Sequence, residues 1–498
     1  MSETLSEAVV ATTGGRVRGR TRNGVTAFKG MPYAAPPSGR RRLAEPEPPE
    51  RWDGVRDALD YGPTAPKGSY LAPFDQLLPE PAFPGDDYLN LNVWTPDPSA
   101  GGLPVIVWLH GGSFVNGSGA VPTYDGTPFA RDGVVLVTIN YRLGAEGFMT
   151  LAGAPDNRGL RDQIAALEWV GENITAFGGE PSNITLAGES AGAMSVAALL
   201  ASPRTTGLFR RAILQSGAGH HALTATTAGK IAAAVAERLG VEPTRAAIAE
   251  VDPGSLVEAQ QSVQQEVRTM PDPAKWGEAA ANLMAFEPVI GDDVAPKLPF
   301  ESIAGGAGKG VDLIVGATTE EMRFFLVPPG TIDVVNDDML RGAVAAYGLD
   351  TDAALRAYAR DGASPGDTLA AVVTDWFFRI PALRLAETAA ARGDRAYVYE
   401  FAWRSPAYDG RLGAGHAVEL GFSFDNLTAE GGGPLLGNAP PQALARAMHG
   451  AWVAFARDGD PGWPVYDDSR RPVMHFDEES SVLDDPRGDE RRLWERKR

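Results

Sequence analysis

Asn183-Ile184-Thr185-Leu186-Ala187-Gly188-Glu189-Ser190-Ala191-Gly192 is the stretch whose reading decides the fold. Residues 183–187 are short and partly β-branched, which suits a strand, and Met194 to Leu200 continues as a helix. A serine between a strand and a helix is thrust into solvent by a tight turn, and glycines on either side leave room for the two elements to cross. In a chain with 58 glycines, a Gly-x-Ser-x-Gly string alone says little. The strand before it and the helix after it are what make it a candidate nucleophile elbow. Serine is a weak nucleophile, so Ser190 then requires a histidine to accept its proton and an acid to orient that ring.

Outward from the elbow, Val105 to Leu109 and Val134 to Ile139 are apolar runs expected as buried central strands. From Asn157 to Phe177, Leu160, Ile164, Leu167 and Ile174 fall on one face of an amphipathic helix. Arg211 to Leu214, Leu313 to Val315 and Tyr397 to Phe401 add further strands, while Val25 to Phe28 and Tyr88 to Trp94 form a decorated sheet edge. This alternation predicts an α/β architecture with a mostly parallel sheet. Residues 221–299 and 324–381 lack strand alternation and are expected to be helical excursions walling a substrate gorge. No internal repeat is visible, and residues 1–498 are read as a single elaborated domain.

The chain has 498 residues and no cysteine, so a large core is available and disulfides are excluded. Sixty-four acidic against 45 basic residues leave a net charge of −19, which argues against binding nucleic acid by bulk charge. The start of the chain lacks a basic segment followed by an apolar one, and no stretch reaches the roughly 18 apolar residues of a membrane span. A cytoplasmic protein is expected, with no membrane partner; a monomer is the default and a homodimer is left open. Arg40-Arg41-Arg42 reads as a solvated or internally paired basic turn.

Six histidines are candidates for the base: His110, His220, His221, His416, His449 and His475. His110 precedes Gly111-Gly112-Ser113-Phe114, a loop suited to offering backbone donors. His416 lies in a Gly-Ala-Gly-His turn after a strand and is the better base. His220-His221 has no three-ligand spacing, so no metal and no cofactor are expected.

Several segments together resemble the type B carboxylesterase, cholinesterase-like family, over almost the whole chain. Phe28-Lys29-Gly30-Met31-Pro32-Tyr33-Ala34 is similar to that family's FxGIPYA segment. Asp86 to Val93 is similar to its EDCLYLNV segment, with Tyr88 where many members carry a cysteine. His110 to Phe114 resembles its oxyanion loop and Gly188 to Gly192 its elbow. Gly316-Ala317-Thr318-Thr319-Glu320-Glu321 resembles the segment ending in the triad acid, and Gly415-His416-Ala417-Val418-Glu419-Leu420 the one holding the histidine. The resemblance, strongest to bacterial para-nitrobenzyl-esterase-like members, implies an α/β-hydrolase fold with an N-terminal antiparallel extension. It implies a triad of Ser190, Glu321 and His416, with Glu321 chosen over Glu320. It also implies an oxyanion hole from the N–H groups of Gly112, Ser113 and Ala191, and Glu189 and Ser216 behind the triad.

Trp108, Phe114, Phe324, Phe325, Phe422 and Phe424 are candidates to line the pocket, although each also suits a core. The expected activity is hydrolysis of small to medium carboxylic esters through an acyl-enzyme, with water as second substrate. Two alternatives stay open: a catalytically silent recognition protein, and a hydrolase of specialised carbamates, lactones or lipid esters.

Overall fold

Thirteen strands build one mixed sheet in the computed structural model, which describes residues 5–428, 430 and 432–497. In chain order they are β1 (Leu5–Ala11), β2 (Arg16–Arg22), β3 (Val25–Pro32), β4 (Val55–Asp57), β5 (Asn90–Thr95), β6 (Leu103–Leu109), β7 (Val135–Ile139), β8 (Gly179–Glu189), β9 (Arg211–Gln215), β10 (Asp312–Thr318), β11 (Ala396–Phe401), β12 (Pro472–Phe476) and β13 (Ser481–Asp484). Across the sheet the order is β1-β2-β3-β5-β7-β6-β8-β9-β10-β11-β12-β13, and β4 pairs with β2 off this path. The block from β7 to β12 is parallel throughout. β1, β2, β3 and β5 form the antiparallel extension.

The parallel block has apolar residues on both faces because helices cover both. In β6, Val105, Val107 and Leu109 point to one side, where they join Leu160, Leu167 and Val170 of the Arg158–Asn173 helix and the Ala191–Ala201 helix. Ile106 and Trp108 point to the other side and join Met448, Trp452 and Phe455 of the Gln442–Asp458 helix. Arg142, after β7, and Asp162 are both fully buried and form a paired bridge of 2.8 and 2.6 Å that ties the strand end to the first of these helices.

Each strand expected from the sequence is present, with small shifts in bounds. β8 runs from Gly179, earlier than residue 183, because pairing with β6 extends it. β1, β2, β4, β12 and β13 were not foreseen: β2 carries four arginines in Arg16–Arg22, and all of β13 is exposed, so neither shows a buried face of alternating apolar residues.

Helices fill the two excursions. Ala225–Leu239 and Pro253–Thr269 are capped by Thr224 and Asp252, whose side chains accept from Thr227 N and Ser255 N. In the second, the Pro365–Thr374 helix continues through a π-helical turn at Asp375–Arg379 into Ile380–Arg392. Arg379 grips Asp375 with bonds of 2.6 and 2.7 Å across that turn, which carries Phe377 and Phe378 towards the C-terminal ends of the parallel strands.

Candidate active site

Ser190 stands between the end of β8 and the Ala191–Ala201 helix with φ 55° and ψ −125°. A non-glycine residue in this region carries strain of about 1–3 kcal/mol, so its surroundings must impose it. Ser190 N donates to Gln215 O at 2.9 Å, and Met194 N donates to Ser190 O at 2.9 Å. The flanking glycines are steric necessities. A Cβ on Gly192 would lie 2.0 Å from Leu109 O, and one on Gly188 would lie 2.5 Å from the Gly192 carbonyl carbon.

The structure brings Glu321 and His416 together from segments 95 residues apart: His416 Nδ1 is 2.5 Å from Glu321 Oε2. Glu321 is fully buried after β10, and its other oxygen accepts from Thr318 N at 2.8 Å, which orients the carboxylate. Glu320 faces elsewhere, accepting from Ala414 N at 2.9 Å and pairing with Arg404. Glu189 is buried, and its Oε1 lies 3.1 Å from His416 Nε2. Ser216, also with positive φ, donates to Glu419 Oε1 at 3.1 Å.

Three buried carboxyl groups therefore surround one imidazole. Burial alone would lower the affinity of His416 for a proton, but the charges of Glu189 and Glu321 outweigh it and push its pKa up to about 9. Burial raises Glu189 to about 7, opposed by the attraction of His416 and reinforced by repulsion from Glu321. Glu419 is raised well above the usual range by burial, with Glu321 and Glu189 adding to it.

The loop after β6 runs past the elbow with positive φ at Gly112 (113°), Ser113 (53°) and Phe114 (60°). The N–H groups of Gly112 and Ser113 have no acceptor among the described residues. His110 is structural here. It is buried, stacks on Tyr141 with ring centroids 4.4 Å apart, and is held neutral by burial, its pKa lowered to about 3. At the loop's far end Lys67 Nζ donates to Gly117 O at 2.9 Å and pairs with Glu80 at 2.9 Å, while Glu80 accepts from Gly117 N at 3.2 Å.

Ser190, His416, Gly112 and Ser113 open into a cavity of about 600 Å³. Of the six aromatics expected in the pocket, Phe324 and Phe325 line it. Trp108, Phe114, Phe422 and Phe424 do not and belong to the core. Trp108 points to the opposite sheet face and meets Phe424 edge-on at 4.8 Å. Phe114 packs on Phe148 at 4.9 Å, and Phe422 packs between Phe401 and Trp403.

The reading of the sequence missed Phe378, whose ring is 5.0 Å from that of His416, together with Glu419, Lys67 and Glu80. The acid standing alone in Ala417-Val418-Glu419-Leu420 and the run Trp376-Phe377-Phe378 were visible signals. Lys67 and Glu80 carried none, since their pairing exists only in the folded chain.

A serine opening into a cavity, an imidazole oriented by a carboxylate and unpaired N–H groups beside them are the parts needed for acyl transfer. Comparison with known proteins agrees. The model of the Carboxylesterase family matches residues 6–494. The chain is 36% identical to the para-nitrobenzyl esterase of Bacillus subtilis over 98% of both proteins, and 38% identical to the phenmedipham hydrolase of Pseudarthrobacter oxydans over 93% of both. Among solved structures, the Geobacillus stearothermophilus carboxylesterase EST55 superposes with a TM-score of 0.85 at 37% identity, covering 98% of this chain and 99% of that one. The chain belongs to the carboxylesterase family, has the α/β-hydrolase fold and is a serine carboxylester hydrolase.

Proposed function

We propose that Ser190, His416 and Glu321 form the catalytic triad, and that the N–H groups of Gly112, Ser113 and Ala191 form the oxyanion hole. The observation that carries this is the 2.5 Å contact of His416 Nδ1 with an acid held by a backbone donor, beside a serine on a strained elbow. His416 takes the Ser190 proton as Oγ attacks the ester carbonyl, and Glu321 holds the ring and stabilises the imidazolium. The carbonyl oxygen becomes an oxyanion facing the three N–H groups, each worth about 3 kcal/mol in the transition state. The imidazolium then protonates the departing alcohol. Water, deprotonated by the same ring, attacks the acyl-serine and releases the acid.

Glu189 and Ser216 act behind these groups, Glu189 by its charge beside the ring and Ser216 by fixing Glu419. The substrates are small to medium esters: a cavity of about 600 Å³ with aromatic walls lies within the range of small-molecule sites. We read the enzyme as a bacterial, cytoplasmic monomer built as one elaborated domain. Its complete lack of cysteine is consistent with a fold that owes nothing to an oxidising compartment.

Treatment with a serine-directed organophosphonate, followed by peptide mass analysis, should label Ser190 and abolish hydrolysis of 4-nitrophenyl butyrate. An unlabelled Ser190 under conditions that label a control esterase would make this a silent recognition protein. A series of acyl chain lengths tests the substrate class, and preference for long micellar chains over soluble esters would make the enzyme a lipase.

A further inference from the structure

The Pro253–Thr269 helix presents Gln260, Gln264 and Arg268 at intervals of four, so that all three meet the catalytic cavity along one stripe. The two glutamines are occupied in holding the wall. Gln260 Oε1 accepts from Ala145 N at 2.7 Å. Gln264 spans a turn, donating to Leu283 O at 2.8 Å and accepting from Ala285 N at 2.7 Å.

Arg268 differs from both. Its Nε makes one long bond of 3.4 Å to Leu283 O, and its two terminal nitrogens have no acceptor among the described residues. Nor does any described carboxylate pair with it. Glu266, two positions earlier, points to the other side of the helix, where it bridges Arg238 and Lys275. Asp272, just beyond the helix, accepts from Ala274 N.

Arg268 is exposed to solvent yet lines the cavity, and loss of water around it lowers its hold on the proton. A cation in the last turn of a helix is favoured by the helix dipole, which accounts for the charge but not for a free guanidinium fork facing the substrate space. Arg268 lines the same cavity as Tyr70, Glu189 and Ser190.

We propose that Arg268 is a specificity residue that binds a carboxylate carried by the ester substrate away from the scissile bond. This rests on Ser190 being the nucleophile of an ester hydrolase and adds the class of ester it selects. A planar guanidinium with two free terminal nitrogens matches a carboxylate with two parallel hydrogen bonds. The need for a dedicated group follows from the overall charge of −19, which disfavours the approach of any anion. An unpaired cation on the cavity wall reverses that locally.

Two matched substrate pairs test this. One is the 4-methylumbelliferyl monoester of suberic acid against its methyl-capped diester; the other is the butyrate ester of 6-hydroxyhexanoic acid against that of 6-hydroxyhexanamide. The readout is the ratio of kcat/KM for the anionic and neutral members, taken within each protein so that any loss of folded enzyme cancels. Wild type should favour the anionic member of at least one pair, the more so at low ionic strength. R268Q should lower that ratio by about 10- to 100-fold, as expected for losing hydrogen bonds to a charged group, and R268K should lie between. An equal ratio in wild type and R268Q for both pairs overturns the proposal. If wild type cleaves none of the four esters, the hydrolase reading itself has failed, a result distinct from the loss of anion preference.

Discussion

With His416 as the proposed base, its contact with Glu189 should set the pH at which the enzyme works, and Glu189→Gln tests it. His416 serves as base only when neutral, and with Glu189 and Glu321 on its two nitrogens its pKa sits at about 9. At pH 7 only about 1% of the free enzyme would then hold a neutral ring, and kcat/KM should climb with pH towards 9. Two unit charges about 4 Å apart at an effective dielectric near 20 attract by about 4 kcal/mol, equivalent to roughly 3 pH units. Water partly screens the pair, so a shift of about 1–2 units is expected. The sign is definite: removing a negative neighbour favours the neutral imidazole, so the acid limb of kcat/KM moves to lower pH. Glu189 titrates at about 7 itself, so the wild-type limb should also depart from a one-proton slope, and E189Q should restore one. The plateau should fall, because the imidazolium formed during attack loses one of its two flanking charges. The assay is kcat/KM for 4-nitrophenyl acetate from pH 5 to 10 at constant ionic strength. An acid limb that stays put in E189Q, or moves to higher pH, refutes the reasoning.

Other perturbations separate chemistry from support. S190A should reduce kcat at least about 10⁴-fold while the folded enzyme still binds a substrate-like inhibitor, measured by steady-state kinetics and calorimetry. K67M removes the clamp on Gly117 and strands Glu80, so the Gly112 and Ser113 donors drift; kcat should fall about 10- to 100-fold with little change in KM. R142M leaves Asp162 buried without its partner and should cost about 3–5 kcal/mol of stability in a urea titration. F325A should change the acyl-chain preference with little loss of stability, whereas W108A, in the core, should cost about 3–5 kcal/mol.

Which of these features were legible in the chain follows from the kind of constraint each obeys. The elbow was readable because its glycines answer to hard contacts: 2.0 Å at Gly192 admits no other residue, so the requirement is written as an amino-acid type. The central strands were readable because burial on both faces demands unbroken apolar runs such as Val105 to Leu109. β2 and β13, at or near the two edges, obey no such rule, since exposed strands tolerate arginine and aspartate, and they passed unseen. The six aromatics show the limit from the other side. Phe422 and Phe325 are chemically alike, and only the direction of the backbone decides that one packs on Trp403 while the other faces His416.

The same limit governs charge, and it explains why the carboxyl groups had to be placed in space before their roles separated. Glu320 and Glu321 are adjacent and identical, so local sequence could not rank them. The fold does so by giving Glu321 a backbone donor, full burial and the imidazole, and giving Glu320 the partly exposed Arg404. Glu189 is next to Ser190 in sequence, but what sets it apart is a 3.1 Å contact with a ring 227 positions away. A chain with 64 acidic side chains has many such residues, and composition assigns them to the surface by default. What distinguishes Glu189, Glu321 and Glu419 is that all three are buried around one histidine, where the charge of Glu321 raises the cost of ionising the other two. Repulsion from Glu189 adds to the rise of Glu419 and its attraction adds to the rise of His416, so a substitution at Glu189 must move the titration of both.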